Sequence, residues 1–552
     1  MPHWQLGRVS QRIQNIVQAI IQAKRWHWLI LLAWLLPLLL VGFFNLDQQS
    51  LMAHDEGLYA RRARVIVDSG DWIHPWASPH HKTPGPYWVV ALFINILGRH
   101  EVAVRLPSVL ASIACLLLTY AIGRRLLSPT AALLGSLSLA VAPLWLQYSR
   151  LATPDVMFTG LILLTVWLLL ETTYSDPHTQ QRWLYFGGGV AVGLTVLMRS
   201  ALAAVPVVCL LPYLLLSGHW KQWSLYLGGV VGLFPTAFWL WQCWQRYNMA
   251  VINALINFPV DQSLTADRAK SPLFYLLNLL VNDFIWIFFA LAAVFLLLNR
   301  LLRSKGQYTQ PQISLLLGYP LCYLGILSVA STKLPHYAIP TYPFLALLTG
   351  YAMDSLVKKT IKGGFRRFLK TLNGVILLAG IFLIVAAGLA IFTQVLPSSN
   401  DIRPYAPIAL GLGLAWVTAA LWWFQTNGLA VSTWLVLLLM GHWLGLTLAW
   451  GTAELGNVNP EMKTLLLHNE IQPVLKTETI DFSPGLNSKR STLLRFYTPN
   501  LGEKLQDLEH VGTDDYLWIE SSELSQLTLP HRSLGQINQT YLVHTSAPTD
   551  PD

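Results

Sequence analysis

The sequence predicts an all-α polytopic membrane protein with a small α/β domain at its C-terminal end. Three observations predict it. Of 552 residues, 54% are hydrophobic and only 12% charged, against about 25% charged in soluble domains, and the mean hydropathy is +0.46. Apolar runs close to the ~20 residues a helix needs to cross hydrocarbon recur along most of the chain. From about Glu454 the composition turns polar and no such run follows.

Taken in order, the apolar runs place spanning helices at roughly 27–44, 106–126, 130–148, 155–171, 183–199, 201–217, 222–242, 274–298, 313–330, 337–353, 372–394, 405–424 and 430–450, about thirteen in all. The first run follows a polar, mildly basic arm, residues 1–26. No small-residue cleavage site comes after it, so it reads as an anchor. The apolar piece 86–98 is too short to cross. Charge orients the chain. Lys358, Lys359, Lys362, Arg366, Arg367 and Lys370 form one basic loop, and Arg300, Arg303 and Lys305 another. The positive-inside rule makes both cytoplasmic. Counting back, the N-terminal arm is cytoplasmic only if 86–98 does not span. Residues 45–105 then form one large outer loop within a membrane domain of 27–453. Thirteen crossings put the tail, 454–552, outside as a soluble domain. In it, Asp515–Glu520 and Thr540–His544 read as strands and 460–470 as a short helix.

The net charge of +9 lies largely in short loops and reads as topology signal, so it calls for no nucleic-acid partner. Cys115, Cys209, Cys243 and Cys322 sit singly in apolar segments and form no disulfide or metal framework. There is no Gly-rich phosphate loop or dinucleotide motif. His54, His74, His80 and His81 have neither HxH nor HExxH spacing. No cofactor is required. A divalent metal is chemically allowed but has no supporting motif.

The unusual polar residues fall on the outer side of this topology. Asp55 and Glu56 follow the first membrane helix, where a carboxylate can serve as general base or only cap a helix. Arg61, Arg62 and Arg64 can hold phosphates or anionic headgroups. Lys82 precedes Pro84, Pro86, Tyr87 and Trp88, a stiff aromatic approach that places a lysine beside a lipid phosphate or anchors it at the interface. Asp155 opens a helix after Arg150. Lys333, His336 and Tyr337 sit at an outer helix break. The loop 246–273 holds Arg246, Asp261, Asp267, Arg268 and Lys270. Lysines and arginines on the outer side run against the positive-inside trend, and a titratable island in a membrane protein marks a functional site.

Six motifs stand in one order: Asp55-Glu56-x-x-Tyr59, Gly70-Asp71-Trp72, Lys82-x-Pro84-x-x-Tyr87-Trp88, Arg105-Leu106-Pro107-Ser108, Arg150 to Asp155, and Ser331 to Tyr337. In this the chain resembles the dolichyl-phosphate-mannose protein mannosyltransferase-like group of GT-C glycosyltransferases, most of all the bacterial aminoarabinose transferases, across about residues 27–355. The resemblance implies a GT-C membrane fold of thirteen helices, non-spanning helices in the first outer loop and an outer C-terminal domain. It implies Asp55 as catalytic carboxylate, Lys82 on the donor phosphate with Tyr59 beside it, and Lys270 and the Lys333–Tyr337 turn lining the same cavity. The chain departs from the aminoarabinose pattern at Leu58, at His81 and at Met198-Arg199-Ser200, which leaves sugar and acceptor open.

The expectation is an enzyme of the plasma membrane with its active site on the outer face, moving a sugar from a polyprenyl-phosphate donor to a lipid or protein acceptor. Its catalytic candidates are Asp55 and Glu56. Its substrate-binding candidates are Tyr59, Arg64, Lys82, Tyr87, Asp155, Arg268, Lys270, Lys333, His336 and Tyr337. The competing readings are a flippase for lipid-linked sugars, which needs charge spread through the membrane, and a polyprenyl-glycan ligase.

Overall fold

The computed structural model describes residues 14, 15, 19, 26–53, 56–76, 78–175, 178–264, 270–302, 309–358, 364–392, 402–451 and 459–547. After helix α1 (His27–Phe44), two helices lie in the loop expected at 45–105: α2 (Glu56–Ser69) and α3 (Gly85–Leu97). The bundle continues with α4 (Glu101–Leu126), α5 (Pro129–Ala140), α6 (Pro143–Arg150), α7 (Pro154–Glu171), α8 (His178–Arg199), α9 (Ala204–Ser217), α10 (Trp223–Tyr247) and α11 (Met249–Leu264). Next come α12 (Phe274–Asn282), α13 (Trp286–Leu302), α14 (Gln310–Val329), which contains a π turn at Ser314–Gly318, and α15 (Tyr342–Val357). The helical series ends with α16 (Gly364–Phe392), α17 (Ala406–Gln425) and α18 (Val431–Gly451).

Local chemistry sets several starts. Pro129, Pro143 and Pro154 each occupy a first-turn position, where a missing N–H costs nothing. The Ser128 side chain caps α5 by accepting from the Ala131 N–H. α8 and α10 approach closely because Gly189 and Gly193 face Gly228 and Gly232. A Cβ at any of these would run into the backbone opposite.

The chain is a multi-pass membrane protein. Among the described residues eight helices are long and apolar enough to cross a membrane, or nine if α5 and α6, bent by 63°, count as one span. The thirteen predicted segments are all helical, but several fall short of that length. The predicted span 274–298 is broken at 283–285 into α12 and α13, and α15 has 16 residues after a 3-10 turn at Pro335–Thr341. α3 has 13 residues, as its sequence implied, and buries Tyr87, Val90 and Ile94.

The tail folds as α19 (Pro460–Leu466), α20 (Ile471–Thr477), β1 (Ile480–Phe482), α21 (Ser488–Tyr497), β2 (Leu501–Lys504), β3 (Tyr516–Glu520), β4 (His531–Ile537) and β5 (Thr540–Thr545). The strands form one sheet in the order β2-β1-β3-β5-β4. β1 runs parallel to β2 and β3, and β5 runs antiparallel to β3 and β4. This unit shares an apolar core with the segment 45–105, where Tyr59, Tyr87 and Ile94 join Leu493, Phe496 and Trp518. The sheet unit and the helices of the loop are therefore packed together.

Candidate active site

The site begins with the turn that starts α2. Arg105 of α4 holds the Glu56 carboxylate with two charge-assisted hydrogen bonds, Nε to Oε1 and Nη2 to Oε2, each 2.7 Å. Its remaining N–H groups donate to the carbonyls of Leu46, Gln49 and Ser50. Glu56 also accepts from the backbone N–H of Met52 and of Ala152. Glu56 is completely buried, and these donors occupy both its oxygens. Expected as a catalytic candidate, Glu56 stands here in a buried ion pair with Arg105 that holds the start of α2 against α4. Asp55 and Arg268 lie outside the described residues.

The Lys82 segment is fixed from two sides. Thr83 Oγ1 donates to the Val196 carbonyl at 3.1 Å, and its backbone N–H donates to Ser200 Oγ at 3.2 Å. Gly85 lies so close to α8 that a Cβ there would stand 2.5 Å from the Leu197 carbonyl oxygen, which accounts for the glycine between two prolines. On the other side His80 Nε2 and Tyr87 Oη share a 2.7 Å hydrogen bond, and Tyr87 stacks on Tyr59 with ring centroids 5.1 Å apart. Lys82 Nζ stands 5.3 Å from the centre of the Tyr59 ring.

These pieces border a cavity of about 270 Å³. Tyr59, His81, Lys82 and Thr83 line one side, and Thr153 and Asp155 at the start of α7 another. Arg199 and Ser200 at the end of α8, with Thr332, His336 and Tyr337, close the rest. Arg199 is ion-paired with Asp155, and its guanidinium carbon lies 5.7 Å from the Tyr337 ring centre. His336 Nδ1 and Tyr148 Oη are 2.9 Å apart and hydrogen bonded. Burial, with Lys82 and Arg62 nearby, pushes the His81 imidazole down to about 4, and the same groups drive His80 down further. Both rings are neutral at pH 7. Burial likewise raises the Tyr87 phenol well above its usual range.

The structure thus brings together five of the sequence candidates: Tyr59, Lys82, Asp155, His336 and Tyr337. It separates four others. Arg64 donates from Nη1 and Nη2 to the carbonyls of Arg495, Phe496, Thr498 and Pro499, and from Nε to Asp68. It is 2% exposed and clamps the sheet unit onto α2, so its assignment to substrate is corrected. Tyr87 stands behind Tyr59 with no exposed surface. Lys333 is buried and donates to the Lys270 and Ala330 carbonyls, tethering one segment to the next. Lys270 is exposed and lies 4.4 Å from the Phe274 ring centre, outside the cavity lining. Sequence reading missed Arg199, Thr153 and His81 as lining groups. Arg199 had a signal, an arginine at a helix end on the side expected to be outer; Thr153 had none. Among the described residues no group of three or more His, Cys, Asp or Glu side chains is arranged to hold a metal.

A cavity edged by a fixed ammonium and several hydroxyls can hold a phosphate and a polyol together. Comparison with known proteins bears first on the fold, which superposes with a TM-score of 0.75 on the crystal structure of ArnT from Cupriavidus metallidurans bound to undecaprenyl phosphate, covering 96% of this chain and 100% of that one at 20% identity. Residues 81–241 match the family described as dolichyl-phosphate-mannose-protein mannosyltransferase. The chain is also similar to an uncharacterised protein of Aquifex aeolicus, 27% identical over 59% of this chain and 64% of that one. It is likewise similar to undecaprenyl phosphate-alpha-4-amino-4-deoxy-L-arabinose arabinosyl transferase 2 of Pseudomonas fluorescens, 27% identical over 70% of this chain. It spans 66% of that relative's length.

Proposed function

We propose that this protein is a membrane glycosyltransferase that moves a sugar from a polyprenyl-phosphate donor to a lipid or protein acceptor. The observation that carries the reading is Lys82, fixed between α8 and the Tyr59–Tyr87 stack at the edge of a polar cavity. Similarity to transferases named for an undecaprenyl-phosphate sugar, and to a structure named for bound undecaprenyl phosphate, supports the same donor.

In this mechanism an acceptor hydroxyl or amine attacks the anomeric carbon. The bond from that carbon to the phosphate oxygen breaks, and its electron pair leaves with the polyprenyl phosphate. Lys82 stabilises the charge growing on the leaving phosphate. Asp55 takes the acceptor's proton. Tyr59, His336 and Tyr337 shape the sugar pocket. Asp155 holds Arg199 at its edge. The active site faces the outer side of the plasma membrane, with 45–105 as catalytic loop, 454–552 as the outer domain and 1–26 in the cytoplasm.

The test is sugar transfer by purified protein from an undecaprenyl-phosphate sugar, with Asp55→Asn compared at matched thermal stability. The variant is expected to lose about 10²–10⁴-fold in rate. A variant rate near wild type removes Asp55 from the mechanism.

A further inference from the structure

A second, narrow cavity lies inside the helical bundle, apart from the one described above. Its polar lining among the described residues is Ser138 of α5, Asp283, Trp286 of α13, and Tyr342 and Thr349 of α15. Three interruptions of the helices meet there. Ala142 stands between α5 and α6, Asp283 between α12 and α13, and Tyr342 opens α15. α5 and α6 are bent by 63°, and Ile285, a β-branched residue, has a φ of 73°. In a membrane domain, non-helical backbone survives only where protein buries it or where it lines a cavity, and such breaks often supply ion ligands. Asp283 is the one charged residue of the apolar segment 274–298. It is 4% exposed and borders the cavity. Its carboxylate has neither a hydrogen bond nor an ion pair among the described residues. A carboxylate buried without a counter-ion is strongly disfavoured. The hydroxyls beside it are already committed as donors. Ser138 Oγ donates to the Gly135 carbonyl at 2.8 Å, and Thr349 Oγ1 to the Trp286 carbonyl at 3.0 Å. What they have left to offer is lone pairs. Tyr342 is buried and its Oη has no hydrogen-bond partner among the described residues. Trp286 adds an indole N–H, which suits a carboxylate and ligates no cation.

We propose that this cavity is a structural site for one sodium ion, held by the Asp283 carboxylate together with the hydroxyl oxygens of Ser138, Tyr342 and Thr349. Hard oxygen ligands suit such an ion, and the described lining brings no imidazole or thiolate that would select a transition metal. One carboxylate balances one charge, whereas a divalent ion would leave a net positive charge in an apolar interior. The ion ties three helix interruptions together at one point. One of them, the start of α15, follows directly on the turn Pro335–Thr341, whose His336 and Tyr337 line the first cavity. The sodium site therefore supports a wall of that cavity from below.

The experiment follows the melting temperature of the purified full-length protein as sodium chloride replaces choline chloride at constant ionic strength. An ion that binds only the folded state stabilises it by mass action. Wild type is expected to melt at a higher temperature as sodium rises, with saturation. Asp283→Asn, which keeps the shape and removes the charge, is expected to melt at one temperature across the series. Ser138→Ala, which removes one oxygen from the set, is expected to raise the half-saturating sodium concentration about 2- to 10-fold. It carries the test alone if Asp283→Asn does not fold. A wild-type melting temperature indifferent to sodium overturns the inference and leaves a proton or a water on Asp283. A sodium response that survives intact in Asp283→Asn, or in Ser138→Ala where the first variant does not fold, also overturns it, because the ion then binds elsewhere. None of these outcomes depends on sugar transfer, so the transferase reading stands or falls separately.

Discussion

Glu56 and Arg105, 49 residues apart in the chain, meet as a two-pronged buried ion pair with both contacts at 2.7 Å. The pair holds the start of α2 against α4. Removing one partner leaves a buried charge without its counter-ion, which typically costs about 3–5 kcal/mol. Glu56→Ala is therefore expected to lower the melting temperature markedly and to lose activity with the fold. Asp55→Asn should melt like wild type and be inactive. A Glu56→Ala protein of wild-type stability and no activity would restore a chemical role to Glu56.

Arg64 satisfies carbonyls of the segment 495–499 from its place on α2. Arg64→Met leaves those carbonyls unpaired in a buried interface, at about 1–3 kcal/mol for each unsatisfied group. The expected result is faster proteolysis within 459–547 and a lower melting temperature, with the donor KM of the folded protein unchanged. A rise in donor KM at wild-type stability would mark Arg64 as a phosphate ligand instead.

The proposed topology is open to cysteine labelling at introduced positions 78, 360 and 500 with a membrane-impermeant reagent on intact cells. Positions 78 and 500 are expected to react and 360 to stay protected, since it sits in the basic loop taken as cytoplasmic. The native cysteines of the described helices are buried or half-buried, which keeps background labelling low. Reaction at 360, or protection at 78, inverts the topology.

Much of the architecture was legible because bilayer spans leave long apolar runs and strands leave short runs of aromatic and β-branched residues. Tyr516–Glu520 and Thr540–Thr545 carry such runs and lie side by side in the sheet. The three-residue β1 and the polar β2 are too short to carry such a pattern. Lys82, Asp155, His336 and Tyr337 stood out as polar groups at the ends of apolar runs. Arg64 and Lys333 looked the same by that criterion, and only tertiary contact distinguishes them. The carbonyls that occupy Arg64 come from a segment more than 400 residues later. The partner of Glu56 is equally invisible to spacing, because helix periodicity reports which face is apolar and not which distant side chain meets it.

The central claim is that Lys82 binds the phosphate of a polyprenyl-linked donor. The measurement that tests it most directly is the inhibition constant of free undecaprenyl phosphate, the leaving product, for wild type and Lys82→Ala during sugar transfer. A charge-assisted contact of about 1.5–3 kcal/mol predicts that the inhibition constant and the donor KM both rise, by about 10- to 150-fold. Lys82→Arg should retain part of the affinity, because the charge remains while its geometry changes. A Lys82→Ala protein with wild-type values of both constants would make the lysine an interfacial anchor and contradict the account.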